Sequence, residues 1–69
     1  MKVMYFDVVD CEHEGDVFEA EMTLIGCGAE RIKRRDYEYD DEGEIVGCQI
    51  VFECANDAEH ELKRIGAYT

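Results

Sequence analysis

The sequence predicts a single α+β domain in the order ββββα, a four-stranded antiparallel sheet with one C-terminal helix packed on one face. Three observations carry that expectation. Short β-branched and aromatic stretches with a period near two are separated by Gly-containing turns. Helix start and stop signals occur together only near the C-terminus. The chain has 69 residues, enough for one core and no second domain, so the domain is 1–69.

The first strand is expected over residues 2–11, with Met4, Phe6 and Val8 on one face and Tyr5, Asp7, Val9 and Cys11 on the other. Glu12-His13-Glu14-Gly15-Asp16 reads as a polar turn. Residues 17–25 alternate, with Phe18, Ala20, Met22 and Leu24 facing one way, and predict a second strand hairpinned to the first. Gly26-Cys27-Gly28 reads as the next turn. Residues 30–40 predict a polar third strand carrying Tyr37 and Tyr39. Asp41-Glu42-Gly43 then closes a hairpin that pairs Tyr39 with Ile45 and sets Tyr37 across from Gly47.

Residues 44–54 are the most apolar strand, with Val46, Cys48, Ile50, Phe52 and Cys54 on one face, and are expected at the centre of the sheet. Asn56 and Glu59 resemble a capping box at the start of a helix. Ala58, Leu62 and Ile65 give that helix a narrow apolar stripe, and Gly66 ends it. One stripe is too narrow to cover four strands, so a homodimer or a tightly curled sheet is expected.

Charge narrows the function classes. Eighteen Asp and Glu stand against seven Lys and Arg, a formal net charge of −11. The acids are clustered, with Asp7, Asp10, Glu12, Glu14, Asp16, Glu19 and Glu21 in one block and Asp36, Glu38, Asp40, Asp41, Glu42 and Glu44 in another. Neither block contains a base. Such a field repels nucleic acid and anionic membrane and attracts basic surfaces. The bases Arg31, Lys33, Arg34 and Arg35 are bracketed by Glu30 and Asp36 and are expected to pair with Glu19 and Glu21. A direct nucleic-acid or membrane binder is therefore not expected.

Chemistry-bearing motifs are scarce. Cys11, Cys27, Cys48 and Cys54 lack the close pairing that announces zinc, and no metal or cofactor is expected. Cys48 and Cys54 read as small hydrophobes on an apolar row. Cys27, between two glycines, reads as an incidental loop cysteine whose thiol reacts before that of Cys48. Met1-Lys2-Val3-Met4 does not read as a signal peptide, and the longest apolar run, Val3–Phe6, falls far short of the ~20 residues that span a bilayer. A cytoplasmic protein is expected.

In size, charge and lack of a catalytic motif, the chain resembles the small acidic inhibitors that phages encode, including DNA mimics and anti-CRISPR proteins. The resemblance implies a non-enzymatic viral protein that occupies the basic nucleic-acid groove of a partner, and it carries no residue assignments. The charge pattern places the partner-binding residues in the Glu12, Glu14, Asp16 turn and in the Asp36, Tyr37, Glu38, Tyr39, Asp40, Asp41, Glu42, Glu44 hairpin. Tyr37 and Tyr39 are the expected anchors. The alternative is a small dimeric accessory or structural domain whose acidity is a solubility device.

Overall fold

The central strand of the sheet is the last one in the chain. In a computed structural model that describes all residues, Met1–Thr69, the strands are β1 (Lys2–Val9), β2 (Ala29–Tyr39) and β3 (Ile45–Cys54). Their spatial order is β1-β3-β2, and both flanking strands run antiparallel to β3. The class is α+β, as expected, and β3 is central, as expected. The sheet has three strands instead of four.

The missing strand is a helix. Residues 17–25 lie in α1 (Glu14–Gly26), which crosses from β1 to β2 over one face of the sheet. The segment carries two periods at once, and alternation was the misleading one. Glu, Ala, Met and Leu are strong helix formers, and Val17, Glu21 and Leu24, at i, i+4 and i+7, are the residues α1 buries. The expected turn at 12–16 is therefore partly the first turn of this helix. His13 caps it, its Nδ1 accepting a hydrogen bond from the Gly15 amide at 3.1 Å. Glu14 and Asp16 sit in the first turn, where the helix dipole favours negative charge.

Gly26-Cys27-Gly28 ends that helix and does not turn a hairpin. The Cys27 amide donates back to the carbonyls of Thr23 and Leu24, each at 3.1 Å. Gly28 follows at φ +116, where an added Cβ would lie 2.7 Å from the Ala58 Cβ. Only glycine fits both that backbone angle and that approach.

Register follows the turn at the β2–β3 junction. Tyr39 pairs with Ile45, as expected, and Gly43 takes φ +82. An irregularity at the Glu38/Tyr39 step leaves Val46 of β3 as the extra, unpaired residue, so Glu38 faces Gly47 and Tyr37 faces Cys48. The expected pairing of Tyr37 with Gly47 is corrected by that one position.

After β3 comes a 3-10 turn (Asn56–Ala58) and the short helix α2 (Glu59–Arg64). Ala58, Leu62 and Ile65 do turn inward, with Leu62 fully buried. The capping box is absent, since neither Asn56 nor Glu59 makes a side-chain cap bond. Beyond Gly66, Tyr68 pairs with Tyr5 through two backbone hydrogen bonds of 2.8 and 2.9 Å. This contact occupies the outer edge of β1.

The core lies on the helix-facing side of the sheet. Met4, Ile50, Phe52 and Cys54 from the strands meet Val17, Leu24 and Leu62 from the helices, all essentially without solvent contact. Because α1 joins α2 on that face, two helices cover three strands. The shortage of cover that argued for a homodimer does not exist in this arrangement.

Candidate partner-binding surface

β1 stops at Val9, opposite Gly47, while the β2–β3 hairpin continues to its turn. Just past β1 the chain bends at Asp10, a non-glycine residue with φ 55, a conformation that Asp tolerates better than most. That bend brings Cys11–Gly15 back alongside the hairpin. The start of the first acidic block and the end of the second, with α1 and β2 between them in the chain, therefore meet at one end of the molecule.

Three shallow clefts mark the junction. One is lined by Glu12, His13, Glu14 and Gly15 on one side and Gly43, Glu44 and Ile45 on the other. A second joins Asp10, Cys11 and Glu12 to Asp40, Glu44, Ile45 and Val46. A third lies between Asp7–Asp10 and Glu38, Val46, Gly47 and Cys48. No Lys or Arg lines any of them.

Local hydrogen bonds fix the acidic loops. The Asp40 carboxylate accepts from the amides of Glu42 and Glu44 at 2.9 and 3.0 Å, and the Gly43 amide donates to the Asp40 carbonyl at 3.0 Å. Asp40 thus holds the turn, leaving Asp41 and Glu42 to point outward from it. Across the cleft, the Asp16 carboxylate accepts from the Glu12 amide at 3.0 Å, and that bond holds its pKa below the ordinary carboxylate value.

The bases are disposed elsewhere. Lys2 pairs with Glu59 at 3.1 Å, Lys63 with Glu59 at 2.8 Å, Arg31 with Glu53 at 3.4 Å and Arg64 with Glu61 at 3.2 Å. These pairs cluster toward the end where Lys2 faces Cys54, the opposite end of the sheet from the clefts. Arg34 pairs with Asp36 at 2.8 Å, and Arg35 with Glu21. Glu21 was expected to take part in internal ion pairing and does so, though from a helix. Lys33 makes no ion pair within 4.0 Å. With extents of 41 × 17 × 16 Å, the protein carries most of its unpaired acids toward one end of its long axis, with Glu30 and Asp57 at the other.

Most of the residues expected to bind a partner gather at this end: Glu12, Glu14, Asp16, Glu38, Tyr39, Asp40, Asp41, Glu42 and Glu44. Two do not. Asp36 is engaged by Arg34. Tyr37 is half-buried and lines a groove with Glu14, Val17, Phe18, Glu21 and Arg35, where burial pushes its hydroxyl pKa up. Tyr39 is 59% exposed, its ring 6.3 Å from that of Tyr37. Sequence reasoning missed Asp7 and Asp10 as part of the surface, because the first block was placed in a hairpin instead of a strand, bend and helix start.

The acids are spread along the clefts and nowhere converge, and no group of three His, Cys, Asp or Glu is arranged to hold a metal ion. All four cysteines are free, with Cys11, Cys48 and Cys54 buried and Cys27 half-buried at the end of α1. Burial pushes the Cys48 and Cys54 thiols above their ordinary pKa.

Comparison with protein-family models, curated proteins and solved structures finds no match.

Proposed function

We propose that this chain is a non-enzymatic acidic binding protein that covers a basic, nucleic-acid-binding surface of a partner protein, in the manner of the anti-CRISPR and DNA-mimic inhibitors it resembles. One observation supports this reading above the rest. The two acidic blocks fold together at one end, while Lys2, Arg31, Lys63 and Arg64 are held in ion pairs at the other and Arg34 and Arg35 are taken up by Asp36 and Glu21. If acidity served solubility alone, nothing would favour this segregation, since surfaces of mixed sign also stay soluble. Unpaired carboxylates spread over clefts suit an extended Lys/Arg groove built for phosphates better than a single cation. Their field would speed encounter and make it sensitive to salt. No helix is long and apolar enough to cross a membrane.

The test is capture from host lysate at low and high salt, with the Asp41→Lys, Glu42→Lys variant alongside. A nucleic-acid-binding protein that elutes with salt and is lost by the variant is the expected result. Equal retention by parent and variant at low salt would remove the hairpin from the contact surface. Asp40 stays unchanged in this variant, because its carboxylate holds the turn.

A further inference from the structure

Three large apolar side chains on α1 have no cover. Phe18 is 61% exposed, Met22 54% and Ile25 50%, and their i, i+4, i+7 spacing sets them in one row along the helix. Burying a Phe, Met or Ile contributes ~1.5–3 kcal/mol. A small domain therefore forgoes much by leaving three of them in water on one helix. The row continues at its N-terminal end to Glu14, four residues before Phe18. Glu14 lines both the acidic cleft and the groove that holds Phe18 and Tyr37. The apolar row and the acidic end thus form one continuous surface.

We infer that Phe18, Met22 and Ile25 are the apolar anchor of the partner interface, and that the surface they meet is an apolar groove on a protein, rimmed by Lys or Arg. The inference rests on the reading of the acidic end given above and adds the character of the partner's surface. Charge complementarity selects this occupant. α1 carries no Lys or Arg, and its exposed carboxylates Glu14 and Glu19 lie beside the row, so whatever seats on the row meets negative charge at its rim. A second copy is a poor occupant, since it would bring another chain of net charge −11 against the same acids. Area argues the same way. Three half-exposed side chains offer on the order of 300 Å², whereas a stable interface takes about 800 Å² from each partner. The row can anchor a larger contact but cannot form a dimer alone. An amphipathic helix face seated in a groove is a recurrent mode of recognition, with anchors at this spacing.

The test titrates the isotopically labelled full chain at low salt with two synthetic peptides of equal charge. One is a helical Leu/Lys peptide with its leucines on one face, and the other is oligolysine. The parent is expected to bind the Leu/Lys peptide at least tenfold tighter, with amide shifts along α1. The Phe18→Ser, Met22→Ser variant is expected to bring the two affinities within about twofold while keeping that for oligolysine. Should the double variant unfold, Ile25→Ser alone reads the same loss at smaller size. A variant that keeps the tenfold preference overturns the anchor and leaves the acidic reading intact. Failure of both peptides to bind, or binding indifferent to salt, overturns the acidic reading and the anchor with it. Sedimentation showing a parent dimer that the substitutions dissolve overturns the inference in favour of a second copy.

Discussion

Glu21 and Arg35 face each other across the groove between α1 and β2, and the pair ties the crossover helix to an edge strand. The Glu21 residue is 6% exposed, while the Arg35 side chain reaches solvent. The neighbouring carboxylate holds the Arg35 pKa above its ordinary value. The arrangement is asymmetric, because only one partner depends on the other for its solvation.

Substitution should expose that asymmetry. Arg35→Ala leaves a nearly buried carboxylate without its partner and is expected to cost ~1–3 kcal/mol. Glu21→Gln leaves an arginine that solvent can reach and should cost less. Chemical denaturation of the two variants and the double substitution checks the order. Equal losses would mean that the pair does not fix α1.

The hairpin turn makes a separate prediction. Asp40→Ala removes the acceptor for two backbone amides and should lower stability by about 1–2 kcal/mol. Asp41→Lys with Glu42→Lys should be neutral or mildly stabilising, since it relieves like-charge repulsion at the tip. Thermal unfolding at matched salt distinguishes them. A loss from the double lysine variant as large as that from Asp40→Ala would show that the outer acids also support the turn.

Glu59 gives a pH dependence with a defined sign. Hydrogen bonds from Lys63 and then from Lys2 hold its pKa below the ordinary carboxylate value. A folded-state pKa below the unfolded one means that its contribution is present above the unfolded value and lost as pH falls through the folded one. Glu59→Gln should therefore be less stable than the parent near neutral pH, with the gap closing in acid. A gap that persists below the titration of Glu59 would assign the effect to packing.

Thiol modification should follow burial. Cys27 is half-buried and Cys48 is buried with its thiol pKa raised, so a maleimide reagent should modify Cys27 first under native conditions. Mass spectrometry after brief labelling reads the order. Cys48 or Cys54 reacting first would mean that the sheet opens on the labelling timescale.

Legibility of the fold depended on how many periods a segment carried. β3 has one, and Cys48, Ile50, Phe52 and Cys54 of its expected inward row are buried, whereas Val46, expected in the same row, is 46% exposed beside the register irregularity. The turn at Asp41–Gly43 was also legible, since Gly43 occupies a left-handed position there. Residues 17–25 satisfy alternation and helical spacing together, and periodicity alone cannot choose between them. What decided the matter was helix propensity, the His13 cap and the need to cover a face that α2 is too short to cover. Most of the acids that charge singled out do lie together at one end, because clustering along the chain survives folding. Its joining into one end was not legible, since it depends on the Asp10 bend and on the crossover that returns the chain to the hairpin.

The placement of β3 between the other strands has a consequence for synthesis. Both β1 and β2 make their strand pairings with β3 alone, so neither has a partner until β3, from Ile45 onward, begins to leave the ribosome. Until then the emerging chain can form α1 but no part of the sheet, and its two finished strands remain unpaired. Loop closure over most of the chain must come before the first β1 hydrogen bond, a topology that slows folding. During that interval the acidic blocks flanking β1 and ending β2 keep nascent chains apart by mutual repulsion. The charge would then protect the protein before it has any shape with which to bind.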